Sequence, residues 1–207
     1  MRFTLHLRLS TPLLILVCCW MSAHSQTDGE SYVFHPNQEV RVAALPSIVA
    51  ASTSESATLA ASVATAVMER DVCCDRNSAL EDQVASAGKL SLKELGEKLR
   101  GKHYLSSGLP ILVEEQYWPA ASVNPEGIIG SLMAQRPLLM LWNGRLYVMC
   151  GAVFDEYKYY SGANVHVIRT LLLVDTRFSD QRRYVSFNRQ TDDWGRVTGL
   201  LALTIKR

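Results

Sequence analysis

Hydrophobic residues recur at helical spacing through the middle of the chain and turn to strand-like runs after residue 136. Ahead of the helices, Val40, Val42 and Ala44 alternate with polar residues over 39–44, a short strand that Pro46 ends. Ala57 to Arg70 is Ala-rich and free of breakers, which predicts a helix. Asp75 to Ala87 is also helix-compatible, with Ala79, Leu80 and Val84 on one side. Ser91 and Glu94 spell a capping box, Leu92, Leu95 and Leu99 form the apolar stripe behind it, and Gly101 is placed to end that helix. Asn124 and Pro125 supply the cap and first position of a further helix through Gln135, with Ile128, Ile129, Leu132 and Met133 on its apolar side. Strands follow over 137–142, 146–156, 165–175, 184–188 and 197–205, and Asn143-Gly144 is a hairpin turn between the first two. Helices first and an antiparallel sheet afterwards define an α+β domain.

The first 25 residues have a different character. Arg2, His6 and Arg8 precede an apolar run from Pro12 to Met21, and Ala23-His24-Ser25 places small residues where a signal peptidase cuts before Gln26. The run is shorter than the roughly 20 residues a permanent span needs. Bulky Leu16 and Val17 argue against lipid anchoring at Cys18 or Cys19. The chain thus divides into a signal peptide over 1–25, a loosely held arm and linker over 26–56, and a domain over 57–207. An exported protein, periplasmic or secreted, is expected. Losing Arg2 and Arg8 moves the formal charge from +1 to −1 and leaves no basic run, which argues against a nucleic-acid partner. No later segment reaches transmembrane length, so no membrane attachment is expected after cleavage. The pattern is silent on oligomeric state.

Export also changes the reading of the cysteines. Cys73, Cys74 and Cys150 remain after cleavage, and an odd count leaves at least one free thiol. Cys73 and Cys74 stand where the helix near Asp75 should start, a position that stabilises a thiolate through backbone N–H groups and the helix dipole. No Gly-rich phosphate loop, zinc spacing, calcium loop or serine elbow occurs, so no cofactor or metal is expected. Tyr157, Tyr159 and Tyr160 fit a solvated hairpin loop, and Cys150, by strand parity, faces the core.

From Val67 to Thr176 the chain resembles the papain-like cysteine peptidases, in particular the bacterial branch that trims double-glycine leaders. That branch opens its catalytic helix with Cys-Gly, small residues, then Ser or Cys and Leu; here Cys74-Asp75-Arg76-Asn77-Ser78-Ala79-Leu80 stands, with Ser78 at the family's spacing. The family continues with Pro, an aliphatic strand, a turn, and His before apolar residues and Gly. This chain has Pro137 to Trp142, Asn143-Gly144, Arg145, then Leu146 to Cys150 and Gly151. The next family strand ends in Asp or Asn, which Asp175 matches. The resemblance implies a papain-like fold with Cys74 as nucleophile (Cys73 as second choice) and Asp175 as the residue that orients the base.

The base itself is missing. Arg145 occupies the histidine position, and a guanidinium stays protonated at any relevant pH. The family's oxyanion-hole Gln corresponds to Met68 or Glu69, neither of which supplies an amide donor. Pairing the second and third strands about a loop centred near residue 160 sets Arg145 opposite Asp175, predicting an ion pair, and leaves His166 about nine residues, roughly 30 Å, away. His103 remains an unplaced candidate base. The expectation is a degenerate cysteine peptidase homologue that binds peptide or protein without cleaving it. The alternatives are an active hydrolase using Cys74 with a non-standard base, and a Cys73–Cys74 vicinal disulfide.

Overall fold

The capping box forms as the sequence predicts: Ser91 Oγ accepts from the Glu94 N–H at 3.3 Å and Glu94 Oε2 accepts from the Ser91 N–H at 2.8 Å. The computed structural model describes residues 31–43, 45, 48, 50–52, 54–67, 84, 91–104, 107–178, 182–186 and 193–206. Residues 1–25, Cys73, Cys74 and the predicted helix over 75–87 lie outside them, except Val84, which is helical and buried.

Three helices are described: α1 (Glu55–Val67), α2 (Leu92–Leu99) and α3 (Pro125–Met133). Asn124 caps α3 by accepting the Glu126 N–H at 2.9 Å, and Pro125 fills its first turn. Met133, expected on the buried side, is exposed because α3 ends there. Eight strands form one sheet: β1 (Tyr32–Arg41), β2 (Gly101–Tyr104), β3 (Pro110–Pro119), β4 (Leu138–Trp142), β5 (Arg145–Tyr159), β6 (Asn164–Val174), β7 (Arg182–Ser186) and β8 (Val197–Lys206). Seven of them run in the order β2-β3-β8-β4-β5-β6-β7, β1 pairs with β5 off that path, every pairing is antiparallel, and the class is α+β.

Helices lie on both faces of the sheet, which is why its central strands read as continuous aliphatic runs. α1 and α2 bury Leu59, Val63, Leu95 and Leu99 against Leu139, Val148 and Leu201. α3 buries Ile128, Ile129 and Leu132 against Met140, Met149 and Leu200 on the other side. Neighbouring residues of β4 and β8 thus go to opposite layers, as a period of two demands.

β5 organises the sheet. It pairs with β6 along one edge; along the other, its first residues pair with β4 and the rest with β1. The register against β6 skips Cys150 on β5 and Arg169 on β6, two β-bulges. Each bulge resets the alternation. Tyr147 and Met149 face the α3 layer ahead of Cys150, while Ala152 and Phe154 face it afterwards. Cys150 is buried in that layer as expected, with Sγ 3.5 Å from the Leu172 carbonyl, yet Tyr147 shares the layer with it.

The loosely held arm and linker expected over 26–56 is corrected from Tyr32 to Arg41, since that stretch is a strand paired with β5. Tyr157 and Tyr159 likewise belong to β5 rather than to a loop. The strands β2 and β3 carried no prediction. In β1, Pro36 and Asn37 form a further bulge, and Asn37 takes a φ of 52° that asparagine tolerates. The buried Asp155 secures it by accepting the Asn37 N–H at 3.0 Å while pairing with Arg169.

Two outcomes follow. Gly151 faces Arg41 across β1, and a Cβ there would sit 2.9 Å from the Val40 carbonyl oxygen, a backbone atom that cannot swing aside. Gly151→Ala should lower unfolding free energy by about 1–3 kcal/mol in a urea titration. Second, the Asn37 N–H holds the Asp155 carboxyl below the usual carboxylate range, against the opposing effect of burial and with help from Arg169. A depressed native value stabilises the fold above the unfolded carboxylate pKa of about 3.9, and that stability is lost as pH falls through the native value. The stability gap between wild type and Asp155→Asn should therefore be full near neutral pH and shrink in acid melts below about pH 4.

Candidate functional site

The ends of β5 and β6 that carry Arg145 and Asp175 lie beside α1. Thr176 Oγ1 is 2.9 Å from Ser62 Oγ and donates to the Thr58 carbonyl at 3.3 Å, and the Thr176 carbonyl accepts from the Ala50 N–H at 2.8 Å. These bonds fix the chain leaving β6 against the first helix. Asp175, directly before, has a side chain with 0% of its surface exposed.

A buried carboxylate needs a partner, because the desolvation cost of an isolated charge exceeds any surface interaction. Arg177 is such a partner. Its Nε donates to Asp175 Oδ1 at 2.8 Å, its Nη2 pairs with Oδ2, and its backbone N–H reaches Oδ1 at 3.2 Å. The Asp175 carbonyl also accepts the Phe178 N–H at 3.2 Å, closing a turn over 175–178. Arg177 is 19% exposed, and the Asp175 carboxylate, with a smaller contribution from Tyr147, raises its pKa further above the ordinary guanidinium value, against burial. Tyr147 packs its ring 5.8 Å from Trp142, at the mouth of the β4–β5 hairpin.

The predicted Arg145–Asp175 pair is corrected. Val148 pairs with Val174, so the register runs two residues beyond the expected one, and continuing it brings Asp175 level with Tyr147. The connecting loop centres on residue 161, because Lys158 pairs with Asn164. Arg145 pairs with Trp142 across the hairpin and is exposed. Alternation puts it on the face of Tyr147 and Met149, the α3 side, whereas Val84, the one described residue of the predicted cysteine-bearing helix, packs in the layer of α1 and α2. Cys74 and Cys73 themselves lie outside the described residues.

The histidines fall elsewhere. His166 sits opposite Glu156, at the far end of β5 from Arg145. There its Nε2 is 3.6 Å from Glu156 Oε1 and its Nδ1 is 4.0 Å from Glu126 Oε1 of α3. His103, on β2, is buried with Nε2 2.8 Å from the Leu99 carbonyl. Four strand spacings separate β2 from β5, roughly 19 Å at about 4.8 Å each. Among the described residues no group of three or more His, Cys, Asp or Glu could hold a metal ion, and no helix is long and apolar enough to cross a membrane.

Sequence reasoning missed Arg177 and Tyr147. Their signal is local: an Asp that ends a strand, followed two residues later by Arg, can close its own turn and ion pair without a distant cation. No protein-family model matches the chain, and no curated protein or solved structure matches it either.

The two arginines should behave differently. Arg177→Ala removes a bidentate guanidinium from a fully buried carboxylate and should cost about 3–5 kcal/mol. Arg145→Ala removes an exposed cation and should stay within about 0.5 kcal/mol of wild type. Urea titrations of the two variants at neutral pH measure the contrast.

Proposed function

We propose that the chain is an exported domain with a papain-like frame that binds a peptide or protein segment and does not hydrolyse it. The sequence of elements supports the frame: α3, then β4, a tight turn, β5 opened by Arg145 and β6 closed by Asp175 follow the order the family resemblance implies. The observation that carries the non-catalytic half of the reading is the state of Asp175. Its carboxylate is committed to Arg177 in a bidentate pair, and the side chain opening β5 is a guanidinium. Neither group takes a proton from a thiol at neutral pH.

The alternative, a cysteine hydrolase working through Cys74 with a non-standard base, needs an imidazole near the ends of β5 and β6. His166 stands at the other end of β5, and His103 spends its Nε2 on the Leu99 carbonyl. A binding domain needs no base. Export behind the leader agrees with an odd count of cysteines after cleavage, of which Cys150 is buried in the sheet.

Turnover decides between the readings. Incubated with a peptide library at neutral pH, the purified protein should release no cleavage products above those of Cys74→Ala, as read by mass spectrometry. Products that vanish in Cys74→Ala would establish the hydrolase in place of the binding domain. The mass of protein recovered outside the cytoplasm should correspond to a chain starting at Gln26.

A further inference from the structure

The first half of β1 is an open sheet edge beside an uncovered aromatic face. The Ser31 carbonyl accepts from the Tyr160 N–H at 3.1 Å, so Ser31, Val33 and His35 turn their main-chain groups toward β5. Tyr32 and Phe34 turn theirs outward, where no further strand runs among the described residues. Their side chains share a face with Tyr157 and Tyr159. Tyr32 lies 5.3 Å from Tyr157 and 5.5 Å from Tyr159, ring centre to ring centre, and Phe34 lies 4.9 Å from Tyr157. Tyr32 is 50% exposed, Phe34 46%, and Val165, opposite Tyr157 on β6, 41%. The bulges put this row on the side of the sheet that α1 and α2 cover further along.

The far end of the same edge, at Arg41 and Ala43, is capped by the chain itself. Gln135 Oε1 accepts from the Ala43 N–H at 2.9 Å, and its Nε2 donates to the Arg41 carbonyl at 3.1 Å. A side-chain amide thus stands in for a neighbouring strand. Between the halves, Pro36 and the bulge at Asn37 interrupt pairing, devices that protect edges from association. The protection stops short of Tyr32 and Phe34.

We propose that this edge takes an extended peptide as an added strand, its main chain bonding the outward groups of Tyr32 and Phe34 and its alternate side chains lying on the aromatic row. The partner is an unstructured segment of another protein with β-branched or aromatic residues at every second position. A second copy of the chain fits less well. The row offers roughly 400 Å² of apolar surface at about 150–250 Å² per aromatic side chain. Doubled, that falls short of the roughly 1,000 Å² of a stable dimer. A peptide adds main-chain hydrogen bonds from both outward residues and so needs less area. The site lies at the opposite end of β5 from Arg145 and does not rest on the reading of the β5–β6 end.

The probe is a phage-displayed library of extended octapeptides panned against the protein, with affinities of enriched peptides measured by fluorescence anisotropy. Enriched sequences should alternate apolar and polar positions. Binding should slow amide hydrogen exchange at Tyr32 and Phe34, a readout that needs no substitution. Phe34→Pro, which removes an outward N–H and no bond to β5, and Tyr157→Ser should each weaken binding about tenfold or more, while Arg145→Ala leaves it unchanged. The proposal is overturned if no peptide enriches, if the enriched peptides protect amides elsewhere, or if sedimentation reveals a dimer that Phe34→Pro dissolves.

Discussion

One fifteen-residue strand with helices packed above and below it sets the geometry of this protein. β5 has to hydrogen-bond to β4, β1 and β6 while delivering apolar side chains to two layers. A strand in that position cannot slip by one residue without sending its core side chains to the wrong layer. The bulges at Cys150 and Arg169 reconcile the demands. The Cys150 bulge falls between the residues of β5 that pair with β4 and those that pair with β1, and it resets which residues of β5 face α3.

That register decides the chemistry at the strand ends. Two residues of difference move Asp175 from Arg145 to Tyr147, and a buried carboxylate then has to find its cation within its own turn. Arg177 satisfies it. Arg145, freed from that duty, is a surface cation at a hairpin. The Asp175 carboxylate is held in a bidentate pair by Arg177, so the β5–β6 end has the electrostatics of a structural clamp. Its neighbour Thr176 shows the same priority, since its hydroxyl and carbonyl both tie the strand end to α1 and the segment before it.

At the other end of β5 the constraint is reversed. There the sheet runs past α1 and α2, and aromatic rings from β1 and β5 pack on one another, those of β1 with about half their surface open. The chain invests a glutamine, a proline and a bulge in closing the β1 edge beyond that point. An edge closed along part of its length and open beside a tyrosine-rich face differs from one blunted throughout, and the difference lies where main-chain and side-chain recognition coincide.

The helices were legible because their information is local. Ser91 with Glu94, and Asn124 with Pro125, announce α2 and α3 through bonds within one turn, and each helix carries its own apolar stripe, Leu92, Leu95 and Leu99 in α2 and Ile128, Ile129 and Leu132 in α3. The aliphatic runs of β4, β5, β6 and β8 were legible for a related reason, since burial on both faces leaves few polar positions. β2, β3 and β1 ahead of residue 39 were not, because strands with an exposed face carry polar and aromatic residues that resemble an arm or a loop. The α+β class, the helix starts and the central strands are therefore properties of the amino-acid order alone. The pairing register, the partner of Asp175, the placement of Arg145 and the open edge at Tyr32 were settled only in three dimensions, because each depends on a bulge or a turn whose position is chosen by packing between residues far apart in the chain.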